Sequence, residues 1–542
     1  MRHLFLYGPP GSGKSTIGRL LAARLGLPFT DLDAVIVETD GRSIPQIFAE
    51  EGEPGFRARE KQALADMGAR TRHVVALGGG ALLNPECRAL AEANGEVLCL
   101  ACTLETLCHR IDNAPGSRPL AGGHAALEKL MANRAAHYAS FPRRLDVTSG
   151  TPEALAEAAE TLFGAWRIDS GDVPSLVFAG CNLIAGLGEE VASLGLGKRA
   201  VVVCDSNTDP LYGDRVEASL RAAGVEAFRT VIAVGESTKT LATVQAIWGA
   251  FLRAGLARDD FAVAVGGGVV GDLTGFAAAT WMRGIRWVNV STTLLSMVDA
   301  STGGKTGCDL PEAKNLIGAF HSPSLVLADV DTLASLPARE VRCGLAEAIK
   351  HAFIADPGLL ESLSIFECRD KHAPLLGEAA SRRFCDKSGP SLGEAASRRF
   401  TSTGVSPVDL AAFVARALAV KVHCVREDPL EKNIRGKLNL GHTVGHAVEI
   451  VSDFKIQHGE AVAIGTVEEA RLAVRRGLAP ADWPDLVAAP FARVGLPTAL
   501  PEGCTFESLV PVMKRDKKKK GGVVRFALPC APGDVRLIPV DL

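Results

Sequence analysis

Gly8-Pro-Pro-Gly11-Ser12-Gly13-Lys14-Ser15 brings together residue types that hold a phosphate chain. The glycines let backbone N–H groups wrap oxygens, Lys14 can reach the β- and γ-phosphates, and the Ser15 hydroxyl can ligate magnesium. The apolar run Leu4 to Tyr7 precedes the loop and a helical pattern from Thr16 to Leu25 follows it, which is the strand-loop-helix setting it needs. Gly11, Ser12, Gly13, Lys14, Ser15 and Thr16 therefore read as a nucleotide site at a helix N-terminus. Asp31 and Asp33, two apart at the end of a strand pattern, can face one side, one for magnesium and one for an acceptor hydroxyl. Arg57, the turn Gly78-Gly79-Gly80, Arg118 and Arg134 follow. Guanidinium forks match carboxylates and phosphates, although any one arginine alone would most often be solvated surface.

A second constellation lies beyond residue 260. Gly266-Gly267-Gly268-Val-Val-Gly271-Asp272 follows the buried-strand run Phe261 to Val265 and opens the helical pattern Leu273 to Thr280. That satisfies GxGxxG in a strand-turn-helix setting and favours a cofactor pyrophosphate over a plain glycine turn. The acidic residue usual about 20 positions on is missing, so an ordinary Rossmann arrangement is not supported. His442 and His446 are four apart, hence on one face of a helix, with His458 downstream and Glu347 in the helical Gly-Leu-Ala-Glu-Ala-Ile-Lys350. No HExxH glutamate lies between the histidines, which argues against a zincin protease. Spacing alone leaves a metal site and ordinary packed histidines equally open.

The elements that must position these residues are legible in the hydrophobic pattern. Strand and helix patterns alternate over residues 1–168 and again over 172–335, separated by the polar Arg167 to Ser175, and long helical patterns fill 336–542 up to the run Val523 to Leu528. The expected architecture is α/β: an N-terminal P-loop α/β/α domain of the nucleoside-monophosphate-kinase type, a Rossmann-like α/β lobe, and a mostly α-helical metal-binding lobe. With 59 Lys plus Arg against 62 Asp plus Glu, the chain carries no electrostatic footprint for nucleic acid or an anionic membrane. Thirteen scattered cysteines point to a reducing cytoplasm, and Cys99 and Cys102 read as strand cysteines rather than a redox or zinc pair. No uncharged apolar segment of about 20 residues suggests a membrane span. LGEAASRRF occurs at 376–384 and again at 392–400, a local duplication in an exposed insertion to which no chemistry attaches.

The motifs of the first 165 residues together resemble shikimate kinase. The resemblance implies that Lys14 and Ser15 serve ATP and Mg2+, that Asp31 assists the magnesium, and that Asp33 holds shikimate hydroxyls and helps deprotonate the attacked one. It further implies that Arg57 and Arg134, with Gly79 and Gly80, hold the carboxylate and ring. Arg118 would sit on a lid, Asn113 to Gly123, and reach the transferring phosphoryl group.

From about residue 175 onward the chain resembles 3-dehydroquinate synthase. The motifs that carry this are Gly266 to Phe320, Gly-Leu-Ala-Glu-Ala-Ile-Lys350, Leu-Asn-Leu-Gly-His442-Thr-Val-Gly-His446, His458-Gly-Glu and Arg-Asp-Lys517-Lys. By that resemblance Glu347, His442 and His458 bind Zn2+ or Co2+. Gly267, Gly268, Asp272, Thr292, Thr293 and Lys314 hold NAD, joined by Asp205, Asn207, Glu236 and Lys239. Asp299, Lys305, Asn315, Lys350, Lys421, Arg435 and Asn439 surround the seven-carbon phosphate substrate, with Arg283 and Lys517 at its phosphate and His446 orienting groups or relaying a proton. The combined expectation is a cytoplasmic, bifunctional enzyme of small-molecule substrates, homodimeric through the synthase half. Two alternatives remain: a P-loop half that only senses nucleotide, and a C-terminal half that is a net oxidoreductase of the polyol dehydrogenase type.

Overall fold

The computed structural model describes residues 2–113, 123–169, 173–310, 313–366, 405–517 and 524–541. They fall into two units, Met1–Arg167 and Ile168–Leu542. In the first, β1 (His3–Tyr7), β2 (Phe29–Asp31), β3 (Val74–Ala76), β4 (Gly95–Ala101) and β5 (Arg144–Asp146) form a parallel sheet in the order β2-β3-β1-β4-β5. Parallel strands need crossovers. These are α1 (Lys14–Leu25), α2 (Leu32–Asp40), α3 (Ile44–Met67), α4 (Pro85–Asn94), α5 (Leu104–Asp112), α6 (Gly123–Ala139) and α7 (Pro152–Phe163). Central β1 is buried at every residue, as a strand covered on both faces must be. Asn84 with Pro85 and Thr151 with Pro152 start α4 and α7, an oxygen cap followed by a proline whose missing N–H costs nothing there.

Two local expectations shift. Helix α1 begins at Lys14 rather than Thr16, because Gly13 takes a left-handed φ of 87° and serves as its N-cap. Asp33 is not in a strand beside Asp31. β2 stops at Asp31, whose Oδ1 accepts the Asp33 N–H at 3.2 Å and caps α2, so Asp33 stands in the first helical turn.

A further strand, β6 (Ala165–Ile168), spans the boundary of the units. From β7 onward the second parallel sheet comprises β7 (Ser175–Gly180), β8 (Arg199–Asp205), β9 (Glu226–Ile232), β10 (Phe261–Gly266), β11 (Arg286–Ser291) and β14 (Leu325–Asp329), in the order β7-β14-β11-β10-β8-β9. Its helices include α8 (Leu187–Ser193), α9 (Asp214–Ala222), α10 (Leu241–Arg253) and α11 (Gly268–Thr280). An antiparallel hairpin of β12 (Lys305–Leu310) and β13 (Ala313–Phe320) precedes β14. The chain leaves β8 for β9 on one side and returns as β10 on the other, so the winding direction reverses between β8 and β10. A crevice opens outside the carboxyl ends of strands at such a reversal, here at Asp205 and Gly266.

The rest is helical: α12 (Ala338–Ile354), the short α13 (Leu359–Ser362), α14 (Pro407–Glu427), α15 (His442–Val451), α16 (His458–Arg475), α17 (Trp483–Arg493) and α18 (Phe506–Lys517), followed by the hairpin β15 (Val524–Ala531) and β16 (Asp534–Val540). Close approach governs this packing. A Cβ on Gly459 would overlap the Cys343 backbone of α12, and one on Gly465 the Gly441 carbonyl before α15. The duplicated segment 376–400 lies outside the described residues.

Replacing Gly459 by alanine should therefore force α16 off α12 and destabilise the second unit by about 1–3 kcal/mol. A urea midpoint indistinguishable from that of the unaltered chain would contradict this packing.

Candidate active sites

The loop after β1 presents its phosphate-binding residues at the carboxyl edge of the first sheet. Lys14 Nζ folds back onto the Gly8 and Pro9 carbonyls, each at 2.9 Å. Burial pushes its pKa down to about 8, against the opposing pull of Asp33 and Asp31. Ser15 Oγ donates to Asp31 Oδ2 at 2.8 Å, so the hydroxyl and carboxylate expected to share a magnesium ion are already adjacent. Behind them the glycine turn faces three neighbours. A Cβ on Gly78 would come 3.4 Å from Asp33 Oδ1, one on Gly79 would come 3.1 Å from the Gly8 carbonyl oxygen, and one on Gly80 would meet the Arg57 guanidinium. Arg134 Nη1 donates to the Gly79 carbonyl at 3.1 Å. The turn thus gathers Asp33, Arg57, Arg134 and the phosphate loop at one place. Arg118 lies outside the described residues.

Sequence reasoning missed Glu60. It is buried, and Arg57 Nη1 reaches its Oε2 at 2.6 Å while Nη2 holds Glu53 at 3.0 Å. Burial raises the Glu60 pKa in spite of that arginine. The i, i+3 spacing of Arg57 and Glu60 was the available signal. Cys99 lies buried in β4 and Cys102 just beyond it, both free.

At the β8/β10 crevice, Gly267 caps α11 in extended conformation and its Cβ position would be 3.1 Å from Thr293 Cγ2. The Thr292 N–H donates to the Gly266 carbonyl at 3.0 Å. Lys239 is buried and pairs with Asp272 at 2.7 Å. Burial raises the Asp272 pKa to about 6, with Lys239 offsetting part of the rise. Asp205 ends β8 and its Oδ1 accepts the Asn207 N–H at 2.9 Å and the Thr208 N–H at 2.8 Å, which closes the loop carrying Asn207. Glu236 is exposed at the rim beside Lys239. A helix N-terminus with two glycines facing a crevice at a winding reversal fits a dinucleotide pyrophosphate.

The helical lobe joins Glu347 on α12, His442 at the start of α15 and His458 at the start of α16. His442 Nε2 and His458 Nε2 lie 3.6 and 3.5 Å from Glu347 Oε1. Their Nδ1 atoms turn outward, to the Leu440 carbonyl at 3.1 Å and to Glu449 Oε1 at 3.1 Å. Both carboxylate oxygens of Glu347 are buried without a hydrogen-bond donor, although Lys350 pairs with it. Two Nε2 lone pairs and a bare carboxylate converging, with each Nδ1 held from behind, fit a divalent metal. Burial pushes the His442 pKa well down and keeps it neutral. A capping box of Gln457 and Glu460 fixes the entry of α16, and Arg339 holds Glu460 through two bonds at 3.0 and 2.9 Å. His446 lies one turn on, its ring 5.4 Å from that of His442.

Lys350 links this trio to a cationic cluster. Its Nζ is 4.0 Å from Asp299 Oδ1, which Lys421 of α14 meets at 2.8 Å. Burial would raise the Asp299 pKa, but Lys421 and Lys350 outweigh it and hold it well below the carboxylate range. Arg435, 1% exposed, donates to the Gly303 carbonyl at 3.1 Å. Glu431 had no role in the sequence reading, yet it binds both Lys305 and, at 3.1 Å, Asn439. His351 was likewise missed, and Glu449, at the end of the stretch that begins at Leu440, was given no role, since nothing local announces which partner a buried side chain meets. Arg283 is not brought to this cluster. It precedes β11 with φ 68°, at the amino edge of the sheet, whereas the crevice lies at the carboxyl edge. The side chains of Lys314, Asn315 and Lys517 lie outside the described residues.

Three family models match the chain in order: shikimate kinase over residues 10–163, 3-dehydroquinate synthase N-terminal over 229–343, and 3-dehydroquinate synthase C-terminal over 392–519. The 3-dehydroquinate synthase of Symbiobacterium thermophilum is 41% identical over 365 residues, covering 67% of this chain and 93% of that protein. Among solved structures, a 2-epi-5-epi-valiolone synthase from Streptomyces hygroscopicus subsp. jinggangensis with NAD+ and Zn2+ bound is 28% identical, with TM-score 0.56, covering 68% of this chain and 93% of that one. A 2-deoxy-scyllo-inosose synthase complexed with carbaglucose-6-phosphate, NAD+ and Co2+ shares the fold at 24% identity and TM-score 0.56, covering 69% of this chain and 96% of that one.

Two outcomes follow from the geometry. Lys14 of the free protein sheds its proton above about pH 8, whereas bound phosphate oxygens keep it charged, so nucleotide affinity should fall as pH rises through that value. Calorimetry in buffers of different ionisation enthalpy should show proton uptake on binding there, and Lys14→Met should abolish it. Glu449→Gln should leave α15 and α16 folded but weaken metal binding by about 10- to 100-fold, read by titration against a competing chelator.

Proposed function

Because the chain belongs to the 3-dehydroquinate synthase family and carries a shikimate kinase domain over residues 10–163, making it a bifunctional shikimate-pathway enzyme, we propose the following division of labour. In the first unit the loop Gly8 to Ser15 holds ATP, with Ser15 and Asp31 at Mg2+. Asp33 orients and deprotonates the acceptor hydroxyl of shikimate, Arg57, Arg134, Gly79 and Gly80 hold its carboxylate and ring, and Lys14 and Arg118 neutralise charge on the moving phosphoryl group. The convergence of Asp33, Arg57 and Arg134 on one glycine turn beside the phosphate loop supports this, since a nucleotide sensor has no use for an acceptor site.

In the second unit the substrate is 3-deoxy-arabino-heptulosonate 7-phosphate and the products are 3-dehydroquinate and phosphate. Glu347, His442 and His458 hold Zn2+ or Co2+, and the β8/β10 crevice holds NAD through Gly267, Gly268, Asp272, Thr292, Thr293, Lys314 and Lys239, with Asp205, Asn207 and Glu236 at its ribose end. Bound there, the two groups supply transient oxidation of a secondary alcohol and its later reversal. The chain's own residues do the rest. Lys350, buried between Glu347 and Asp299, holds the reacting hydroxyl and can pass its proton. Lys421, Arg435 and Lys305 neutralise the substrate's carboxylate and phosphate, with Asn439, Asn315 and Lys517 completing the shell, and His446 holds a proton near the leaving phosphate. The observation that carries this reading is the Glu347–His442–His458 trio joined through Lys350 to the Asp299–Lys421 pair. The proposal includes a cytoplasmic location and a homodimer through the synthase half. No described helix is long and apolar enough to cross a membrane.

Phosphate release from 3-deoxy-arabino-heptulosonate 7-phosphate by the purified chain, with NAD and without ATP, tests the less familiar half. Release abolished by a chelator, restored by zinc and unaccompanied by NADH is expected. Accumulating NADH would make this half a net oxidoreductase, and no release from folded, zinc-loaded protein would remove the synthase assignment.

A further inference from the structure

The Gly79 carbonyl accepts three side-chain donors: the Tyr138 hydroxyl at 2.7 Å, Arg134 Nη1 at 3.1 Å and the Tyr7 hydroxyl at 3.3 Å. One oxygen with two lone pairs is saturated by such a set. The two phenols are buried, at 0% and 6% exposure for Tyr7 and Tyr138. His137 Nε2 lies 3.1 Å from the Tyr7 oxygen. The Tyr7 hydroxyl thus stands within hydrogen-bond distance of both the Gly79 carbonyl and the His137 ring. Arg134 and Tyr138 are four apart on α6, hence on one face, and both end on this one oxygen.

The front of the turn is different. The Gly80 N–H makes no hydrogen bond among the described residues. A Cβ on Gly80 would come 3.1 Å from Arg57 Cζ. A peptide is planar and trans, so a Gly79 carbonyl fixed toward the tyrosines turns the Gly80 N–H the opposite way. We infer that Tyr138, backed by Tyr7, is a positioning residue of the kinase half: it locks the Gly79–Gly80 peptide, so that the Gly80 N–H and the remaining nitrogens of Arg134 are set before the acceptor's carboxylate arrives. The inference rests on the kinase reading above. Donors fixed in advance spare the complex the ordering cost of binding, so the locked peptide acts on acceptor affinity.

The test uses the full chain with Tyr138→Phe, Tyr7→Phe and the double substitution, each removing one oxygen and no ring. The shikimate KM should rise about three- to tenfold for Tyr138→Phe and further in the double variant, the size of one net hydrogen bond, while kcat and the ATP KM stay near the starting values. A crystal structure of the double variant should show the Gly79 carbonyl rotated. An unchanged shikimate KM overturns the inference, as does a joint loss of kcat, both KM values and thermal stability, which would mark the tyrosines as mere packing. Should the unaltered chain not phosphorylate shikimate, the kinase reading falls, and the carbonyl decides alone: rotated in the double variant it supports the lock, unrotated it overturns it.

Discussion

Glu347 places a carboxylate with no solvent exposure in the middle of a helical lobe, and the arrangement around it follows from that. An ionised group in such a place costs several kcal/mol unless neighbours neutralise it. Lys350 on the same helix does so from one side, and a metal ion held jointly with the Nε2 atoms of His442 and His458 would do so from the other. Lys350 in turn is buried and leans on Asp299, which also takes Lys421. One buried charge thus propagates an alternating series from the Glu347–His442–His458 trio to Lys421, across α12, α14, α15 and α16. Glycines at 459, 445 and 465 let the helix backbones close far enough for the series to connect.

Both units obey a second rule that has nothing to do with their particular chemistry. Parallel strands deliver the following helices with their N-termini at one edge, and anions are held at that edge by free N–H groups and the helix dipole. In the first unit this is where β1 hands over to α1, and in the second where β10 hands over to α11. The two loops differ in what stands behind them. The first is backed by a glycine turn and arginines that match a carboxylate, the second by a buried Lys239–Asp272 pair. A chain with almost balanced charge can therefore serve anionic substrates through local clusters, without any global cationic face.

Relatives with this fold include enzymes whose names specify different cyclic products. What a shared scaffold fixes is the crevice at the winding reversal. Substrate choice belongs to the side chains that line a site rather than to its fold, the role proposed for Asp299, Lys421, Arg435, Lys305 and Asn439. Glu431 bridges Lys305 and Asn439 and so orders two members of that cluster at once.

By itself the sequence determined what depends on neighbours along the chain: the strand runs and their amphipathic helices, the phosphate loop, and His442 and His446 on one helical face. Its motifs also sufficed to identify both families. Where only local pattern was available it fell short, as at the glycine-rich hairpin β12–β13, where Gly307 and Gly318 interrupt the alternation that marks a strand. Asp33 looked like a strand residue because its spacing from Asp31 fits a strand, and only the capping bond of Asp31 moved it into α2. The tertiary structure alone decided that Glu449 stands behind His458, that Glu431 joins Lys305 to Asn439, that two tyrosines hold Gly79, and that Arg283 sits at the far edge of its sheet. The reason is physical. Periodicity records which side of an element is buried, whereas the identity of a partner 9, 59 or 126 residues away is set by how elements dock, and docking rests on close approaches that leave no local trace except an occasional glycine.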